Sequence, residues 1–199
     1  MWRGIFVPMT NLYRADTVRD DADLEQILAL QRKNLSLAIS PDEAVSQGFV
    51  TVEHDLDTLK QMHALGPSIA VRDGEALVAY ALTMLRECRA LCPILEPMFQ
   101  LCETLEYQGR PLTDFRFYVM GQVCIDKAHR GQGLFDMLYQ KHRELYRPRF
   151  DVLLTEVATR NRRSLRAHER VGFQTLHTYR DAVDEWALIL WDWREPSSA

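Results

Sequence analysis

The stretch "HRGQGLFDML", residues 129–138, places two glycines directly before an apolar helical pattern. The preceding run, "FRFYVMGQVCID", predicts a buried strand, and the glycine inside it, Gly121, indicates a bulge or a close backbone approach. The first N–H groups of a helix have no partner within the helix and carry the positive end of its dipole. A glycine-rich turn between a strand and a helix can therefore bind an anion such as phosphate.

The turn alone does not decide between phosphate binding and a tight turn without a ligand. It differs from a P-loop because no Gly-Lys-Ser/Thr follows the glycines. It also lacks the third glycine of the G-x-G-x-x-G fingerprint of dinucleotide-binding proteins. A second signal elsewhere in the chain is needed to distinguish the two interpretations.

Apolar spacing and turn residues predict a mixed order of strands and helices, typical of an α/β or α+β domain. Strands are predicted at 13–18, on both sides of a hairpin turn at Asp73-Gly74, and at 114–126, 150–157, 175–180 and 185–193. Helices are predicted at 20–35, 56–65, from Leu134 to about Tyr146, and from Ser164 to a stop at Gly172. The first has Asp20 or Asp21 as its cap. A further short helix is predicted from a capping box at Ser40–Glu43 to Gly48. Pro93 and Pro97 interrupt the pattern within 86–114, so that segment is predicted only to contain some helix and a turn.

Composition indicates a globular chain with a real core. The sequence has 199 residues, of which 47% are hydrophobic and 26% charged, with a net charge of −4. No run of Lys and Arg stands out, so a nucleic-acid partner is not expected. The apolar opening "WRGIFVPM" is broken by Arg3 and Pro8, so we expect neither a signal peptide nor a membrane segment, and a cytoplasmic location.

The cysteine pattern predicts reduced thiols rather than disulfides or a metal site. The four residues are Cys88, Cys92, Cys102 and Cys124. Cys88 and Cys92 could share a helix face, but a second ligand pair at similar spacing is absent from the sequence. No metal is expected.

The second signal is "EVATRNRRSLRAHERVGF", residues 156–173, one strand and one helix after the glycine turn. Together the two stretches resemble the GNAT N-acetyltransferase superfamily. In that family an Arg/Gln-x-x-Gly-x-Gly/Ala loop holds the pyrophosphate of acetyl-CoA, and a later Asn-x-x-Ala/Ser segment followed by Tyr-Glu-x-x-Gly-Phe lies along the other arm. The loop here departs from the pattern by ending in Phe135 followed by Asp136, which we expect to face solvent or Arg130. His168 replaces the usual Tyr.

The resemblance implies one domain over residues 11–193, with 86–114 as an insert between strands and 194–199 as a flexible tail. It implies a mixed, mostly antiparallel central sheet with helices on both faces and a splayed cleft for the cofactor. It also implies that acetyl-CoA is the cosubstrate and that Asn161 bonds the pantetheine arm. Asn161 follows Arg160 and can also cap the last helix. The implied cofactor-binding residues are Val123, Cys124, Ile125, Arg130, Gly131, Gln132, Gly133, Leu134, Phe135, Asn161 and Ser164, the first three through their backbone.

The resemblance further implies direct transfer of the acetyl group to a free amine, without an acyl-enzyme. Glu156 is the predicted general base, because some family members have a Glu five residues before the Asn. Glu87, Asp126 or a water chain are alternatives, and Glu156 could instead only anchor the strand end. His168 could protonate the leaving thiolate or could simply bond a backbone carbonyl. A nucleophilic role for Cys124 is not favoured, since no His partner stands at a readable spacing.

The acceptor amine stays open between a small molecule and a peptide or protein. Acidic stretches among residues 20–66 would favour a cationic amine, although such runs are usually solvated faces. The apolar insert, residues 86–114, could wall a pocket or form a homodimer contact. A module that senses acyl-CoA without turnover is the alternative function.

Overall fold

The computed structural model describes residues 13–35 and 49–195. The capping box predicted at Ser40–Glu43 and the helix predicted to end at Gly48 lie outside these residues. Residues 11–12 of the predicted domain and residues 196–199 of the predicted tail also lie outside them. Within the described part of the chain, no helix has the length and apolar character needed to cross a bilayer.

Seven strands form one twisted sheet, and its mixed, mostly antiparallel character confirms the predicted fold class. The strand order is β1-β2-β3-β6-β7-β9-β8, and β6 and β7 are the parallel pair. A separate two-stranded hairpin consists of β4 and β5. The bounds are β1 Arg14–Thr17, β2 Ile69–Asp73, β3 Ala76–Met84, β4 Glu106–Tyr107, β5 Arg110–Pro111, β6 Phe117–Ile125, β7 Val152–Ala158, β8 Gln174–Arg180 and β9 Glu185–Asp192.

Local signals predicted most of the helix ends, but the last helix begins at Arg162, two residues before the predicted Ser164. The carboxylate of Asp20 accepts from the N–H of Asp23 and so caps the first helix, and the second ends at Gly66. Gly172 ends the last helix, with φ of 123°. The bounds are α1 Asp21–Asn34, α2 Leu56–Leu65, α3 Glu96–Cys102, α4 Leu134–Tyr146 and α5 Arg162–Val171.

A bulge at Gly121 shifts the alternation of side chains along β6, so that Tyr118 and Gln122 point to opposite faces of the sheet. The pairing of β3 with β6 shifts between Leu82, opposite Gln122, and Thr83, opposite Met120, so Gly121 is the extra residue. On one side of the bulge the hydroxyl of Tyr118 bonds His142 of α4, and on the other side Gln122 bonds Gln31 of α1. The sheet is therefore covered by α1 on one face and α4 on the other.

The sheet splits just beyond the start of the parallel pair. Phe117–Val119 of β6 pair with Val152–Leu154 of β7, after which β6 remains with β3 and β7 remains with β9. The hydroxyl of Thr155 donates to the carbonyl of Met120 at 2.9 Å, where the two strands separate. The strands diverge from this point, which forms the cleft expected from the resemblance.

The insert, residues 86–114, consists of short elements that the proline pattern obscured. Short 3-10 turns at Arg86–Leu91 and Pro93–Leu95 lead into α3, which has Pro97 in its first turn. The β4–β5 hairpin follows, and its turn at Gln108-Gly109 has positive φ at both residues, which is typical of a tight two-residue turn. A 3-10 turn at Leu112–Asp114 ends the insert.

Candidate active site

The glycine turn forms an open concave surface at the start of α4. Gly131 and Gly133 have φ of 77° and 78°, in the left-handed region that other residues rarely adopt. A Cβ added at either position would meet no atom within 4 Å. The backbone conformation therefore favours glycine at both positions, and the space beside them is free for a ligand.

Three N–H groups at the start of α4 face no helical partner, because they belong to its first turn. They belong to Leu134, whose side chain is buried in the core, and to Phe135 and Asp136. The Phe135 ring packs against Tyr139 with ring centres 4.8 Å apart, in contact with the core. Asp136 is half-exposed and pairs with Arg170 at 2.8 Å, so its negative charge is balanced beside the anion-binding surface.

Arg130 connects the turn to two other elements. Its Nε donates to the carbonyl of Ile125 at 3.2 Å, and a terminal nitrogen donates to the Asn34 side chain of α1 at 2.7 Å. Gln132 is exposed between the two glycines. The guanidinium of Arg130 thus adds positive charge to the groove while it holds the turn in place.

A groove of about 550 Å³ runs along this surface between β6, the turn and α5. Arg163, Arg166 and Arg170 of α5 line it opposite the glycines. Burial, together with the nearby guanidiniums of Arg130 and Arg166, lowers the pKa of Arg163. This groove is therefore a strongly cationic surface at the positive end of a helix, which suits a polyanionic ligand.

The backbone of β6 presents polar groups to the same groove. The N–H of Asp126, the residue after β6, donates to the carbonyl of Val78 in β3. Backbone groups alternate in direction along a strand, so the N–H and C=O of Cys124, two residues earlier, also point toward β3. The N–H and C=O groups of Val123 and Ile125 consequently point away from β3, toward the open side of the split. Val123, Cys124 and Ile125 all line the groove.

Asn161 and Ser164 stand where the groove meets a second, inner pocket, since both line the two cavities. The Asn161 side chain accepts from the N–H of Ser164 at 3.2 Å and so caps α5, as predicted. Val123 is likewise shared by both cavities. The groove and the inner pocket therefore adjoin each other at these three residues.

Glu156 lies in the inner pocket, which measures about 100 Å³. Burial raises the pKa of its carboxyl from 4.5 to about 7, and the nearby Asp181 acts in the same direction. The hydroxyl of Tyr179 donates to the carboxylate and partly offsets this effect. Glu156 can therefore exchange a proton near neutral pH, as a general base must. The alternatives Glu87 and Asp126 lie outside both cavities.

His168 is buried, and both of its ring nitrogens are engaged. Nδ1 lies 2.8 Å from the Ser164 carbonyl, which can only accept, so Nδ1 carries the proton. Nε2 then accepts from the hydroxyl of Tyr139 at 2.6 Å. Burial lowers the pKa of His168 to about 4. This neutral imidazole has no second proton to give, so the geometry favours the backbone-bonding alternative over an acid for the thiolate.

The four cysteines are all buried free thiols. Burial raises the pKa of Cys124 to about 12, so its thiolate is scarcely populated at neutral pH. This agrees with the expectation that Cys124 is not a nucleophile.

A buried polar network that sequence reasoning missed holds the segment before α2, residues 49–54, against the sheet. Gln31 donates to both His54 and Gln122 at 2.9 Å, and its oxygen accepts from the His54 N–H. Gln122 donates to the Val52 carbonyl at 2.7 Å and accepts from Tyr80. Gln31 falls on the apolar face of α1, and such a misplaced polar residue was the available signal.

Comparison with known proteins agrees with this geometry. The model of the acetyltransferase (GNAT) family matches residues 36–173. No curated protein sequence matches the chain.

Solved structures share the fold at low sequence identity. The Escherichia coli ribosomal-protein-S18-alanine N-acetyltransferase has a TM-score of 0.62 and 11% identity, over 94% of this chain and 97% of that one. A Salmonella typhimurium protein assigned as an acetyltransferase, with its cofactor acetyl-CoA, has a TM-score of 0.59 and 16% identity, over 94% of this chain and 98% of that one. A chain of the NatC complex bound to Gag peptide and CoA has a TM-score of 0.62 and 9% identity, over 92% of this chain and 99% of that one. At these identities the likeness shows the fold alone.

Proposed function

The chain belongs to the acetyltransferase (GNAT) family, and from that premise we propose that it transfers an acetyl group from acetyl-CoA directly to a primary amine. The observation that carries the proposal is that the cationic groove adjoins the pocket of Glu156 at Val123, Asn161 and Ser164. A ligand with a polyphosphate end and a reactive acyl end fits such a pair of cavities.

The residues of the groove suit acetyl-CoA. The open space beside Gly131 and Gly133 leaves room for a diphosphate against the first N–H groups of α4. The arginines of α5 line the same groove and can add charge-assisted contacts. The proposed binding residues are Val123, Cys124, Ile125, Arg130, Gly131, Gln132, Gly133, Leu134, Phe135, Asn161 and Ser164.

Bound acetyl-CoA would supply a thioester carbonyl as the electrophile. Glu156 takes a proton from the ammonium group of the acceptor, because only the neutral amine is a nucleophile. The N–H of Val123, directed to the open side of the split, donates to the carbonyl oxygen as negative charge develops there. The side chain of Cys124 takes no part, since it is buried and protonated.

The leaving sulfur takes its proton from the reacting nitrogen or from water, because His168 carries its one proton toward the Ser164 carbonyl. We assign His168 a structural role at the contact of α5 with α4, where it bonds Tyr139. A domain over residues 11–193, a homodimer and a cytoplasmic location stay predictions.

Two measurements on the purified chain test the proposal. Calorimetric titration with acetyl-CoA should show saturable binding, and release of free thiol should depend on an added amine. Binding without thiol release across a wide set of amines would instead favour the sensing module. No binding of acetyl-CoA or CoA would contradict both functions.

A further inference from the structure

The boundary between the cationic groove and the inner pocket is lined by residues that the two cavities share. They are Phe49, Val50, Val123, Asn161 and Ser164. Three of these have apolar side chains, so the side-chain hydrogen-bond donors at the boundary belong to Asn161 and Ser164. Asn161 is proposed to bond the pantetheine arm, which leaves Ser164 for the reacting end of the ligand.

The sulfur of acetyl-CoA lies at this boundary when the phosphates occupy the groove and the acyl end occupies the pocket. The N–H of Val123 is proposed to hold the carbonyl oxygen, and the sulfur is bonded to the same carbon as that oxygen. When the amine attacks, the C–S bond breaks and negative charge develops on sulfur. A hydrogen-bond donor beside the sulfur would stabilise that charge.

The hydroxyl of Ser164 can be this donor, because His168 directs its own proton toward Ser164. Nδ1 of His168 lies 2.8 Å from the Ser164 carbonyl and 3.3 Å from Oγ, so its N–H is shared between two acceptors. A protonated Nδ1 has no lone pair and cannot accept from the hydroxyl. Among the described residues Oγ has no other hydrogen-bond partner, so the hydroxyl hydrogen is available to a ligand at the boundary.

The backbone that carries this hydroxyl is fixed on both sides. The N–H of Ser164 donates to the Asn161 side chain at 3.2 Å, and its carbonyl accepts from His168. His168 is itself buried and accepts from the Tyr139 hydroxyl at 2.6 Å. Ser164 is half-buried in the first turn of α5. The hydroxyl is therefore presented from a rigid element rather than from a loop.

Two other donors of the inner pocket are engaged elsewhere. The hydroxyl of Thr155 donates to the Met120 carbonyl at 2.9 Å, and the amide of Gln122 donates to the Val52 carbonyl at 2.7 Å. Neither Thr155 nor Gln122 lines the groove. They are therefore less suited than Ser164 to a contact with sulfur at the boundary.

Resting on the proposed function, we propose that Ser164 is a catalytic residue whose hydroxyl donates a hydrogen bond to the sulfur of the leaving CoA. The amine nitrogen bonds to the acyl carbon as the C–S bond breaks, and the electron pair of that bond goes to sulfur. Ser164 keeps its own proton, because a serine hydroxyl is far less acidic than a thiol. The sulfur gains its proton from the reacting nitrogen or from water. Ser164 thus supplies the stabilisation that His168, at the usual Tyr position, cannot give.

Titration of the thiol of bound CoA tests this contact without an acceptor amine. A hydrogen bond to sulfur favours the thiolate and lowers the pKa of the bound thiol. Ser164→Val removes the hydroxyl, and Ser164→Thr is the matched control, because it has the same shape and keeps the hydroxyl. The pKa of bound CoA should be higher by about 1 in Ser164→Val than in Ser164→Thr, which corresponds to about a tenfold weaker preference for the thiolate. Equal values in the two variants would overturn the proposal.

The protein's own thiols leave this measurement clear. The thiolate of CoA is followed by its ultraviolet absorbance between about pH 6 and 10, as the difference between the complex and the protein alone. Burial raises the pKa of Cys88 to about 11 and that of Cys102 and Cys124 to about 12. Burial also raises the pKa of Cys92. If Ser164→Val does not fold, Ser164→Ala compared with wild type gives the same readout.

Single-turnover rates test the effect of the same contact on the reaction. The protein is in excess over acetyl-CoA, and the amine with the fastest thiol release is saturating, so product release does not contribute. The rate constant of Ser164→Val should be lower than that of Ser164→Thr by at least about tenfold, since a hydrogen bond to a charged group contributes about 10–100-fold. Equal rate constants would contradict a catalytic role for Ser164.

The outcomes separate this proposal from the proposed function. CoA binding and amine acetylation that are the same in both Ser164 variants would refute the role of Ser164 and leave the transferase standing. Absence of CoA and acetyl-CoA binding to the wild-type chain would refute both. Acetyl-CoA binding without turnover of any amine would overturn the catalytic role and favour the sensing function.

Discussion

Replacement of Glu156 by Gln removes the proposed base while keeping the size and the hydrogen-bond acceptor of the side chain. General base catalysis typically contributes about 10²–10⁴-fold, so Glu156→Gln should lower kcat by a factor in that range. With a pKa of about 7, only about one tenth of the carboxyl is ionised at pH 6 and about nine tenths at pH 8. The wild-type kcat/KM should therefore fall about tenfold per pH unit below pH 7, and the variant should lack this dependence.

The same substitution has a predicted effect on stability. The folded chain holds the Glu156 proton more tightly than the unfolded chain, because burial raises the pKa from 4.5 to about 7. The stability that this group contributes is therefore present below pH 4.5 and is lost as pH rises through 7. At about 1.4 kcal/mol for each pH unit, the free energy of unfolding of Glu156→Gln relative to wild type should rise by about 3 kcal/mol between pH 4.5 and 8.

Thiol release from pH 5.5 to 9 at saturating acetyl-CoA, with a fixed amine, measures the first effect. Urea unfolding at pH 4.5 and 8 measures the second. Calorimetric titration of both proteins with acetyl-CoA is the control, and the affinities should agree because Glu156 lies outside the groove. Wild-type kcat and an unchanged acidic limb in Glu156→Gln would refute the role of Glu156 as base.

Four further variants test separate parts of the site. Tyr179→Phe removes the hydrogen bond that favours the ionised Glu156, so the acidic limb of kcat/KM should move to higher pH, and an unmoved limb would contradict the pairing. Gly133→Asp should weaken acetyl-CoA binding in calorimetry far more than Gly133→Asn, which has the same shape without the charge, and equal losses would argue against an anion at this turn. His168→Phe should lower the free energy of unfolding by about 1–3 kcal/mol through lost hydrogen bonds while kcat changes little, and a fall of about 100-fold would restore the acid role. Gly172→Ala should destabilise the fold by about 1–3 kcal/mol in urea, because the added Cβ would lie 2.6 Å from the Trp191 ring nitrogen, and an unchanged midpoint would contradict this packing.

Elements with local signals could be predicted from the sequence. The side chain of Asp20 caps α1, Asp73-Gly74 forms the turn of the β2–β3 hairpin, and Gly172 ends α5. Each of these depends on residues within one turn of the chain, so a single sequence carries the information. Gly121 was similarly informative, because a glycine within a strand has few other purposes.

Contacts between distant segments could not be predicted in the same way. Tyr179 reaches Glu156 from β8, which is separated from β7 by β9, and this order follows only from the assembled sheet. The burial of His168 against Tyr139 also depends on how α5 packs on α4. Both contacts change the expected chemistry, since one stabilises the ionised Glu156 and the other engages Nε2 of His168 with the hydroxyl of Tyr139.

The layout of the insert, residues 86–114, was hidden for another reason. Pro93 begins a 3-10 turn and Pro97 lies in the first turn of α3, so neither ends a long helix. Elements this short have no clear apolar period, and their arrangement depends on attachment to α2 and β9. The prediction that the insert could wall a pocket agrees with the position of Met98, whereas a dimer contact stays a prediction.

A crystal structure of the chain with acetyl-CoA bound tests most directly whether the glycine turn binds the phosphates of that molecule. Diphosphate oxygens should lie about 3 Å from the amide nitrogens of residues 131–135, with the acyl group beside Val123 and Glu156. A bound molecule with its diphosphate elsewhere, and solvent alone beside Gly131 and Gly133, would contradict it.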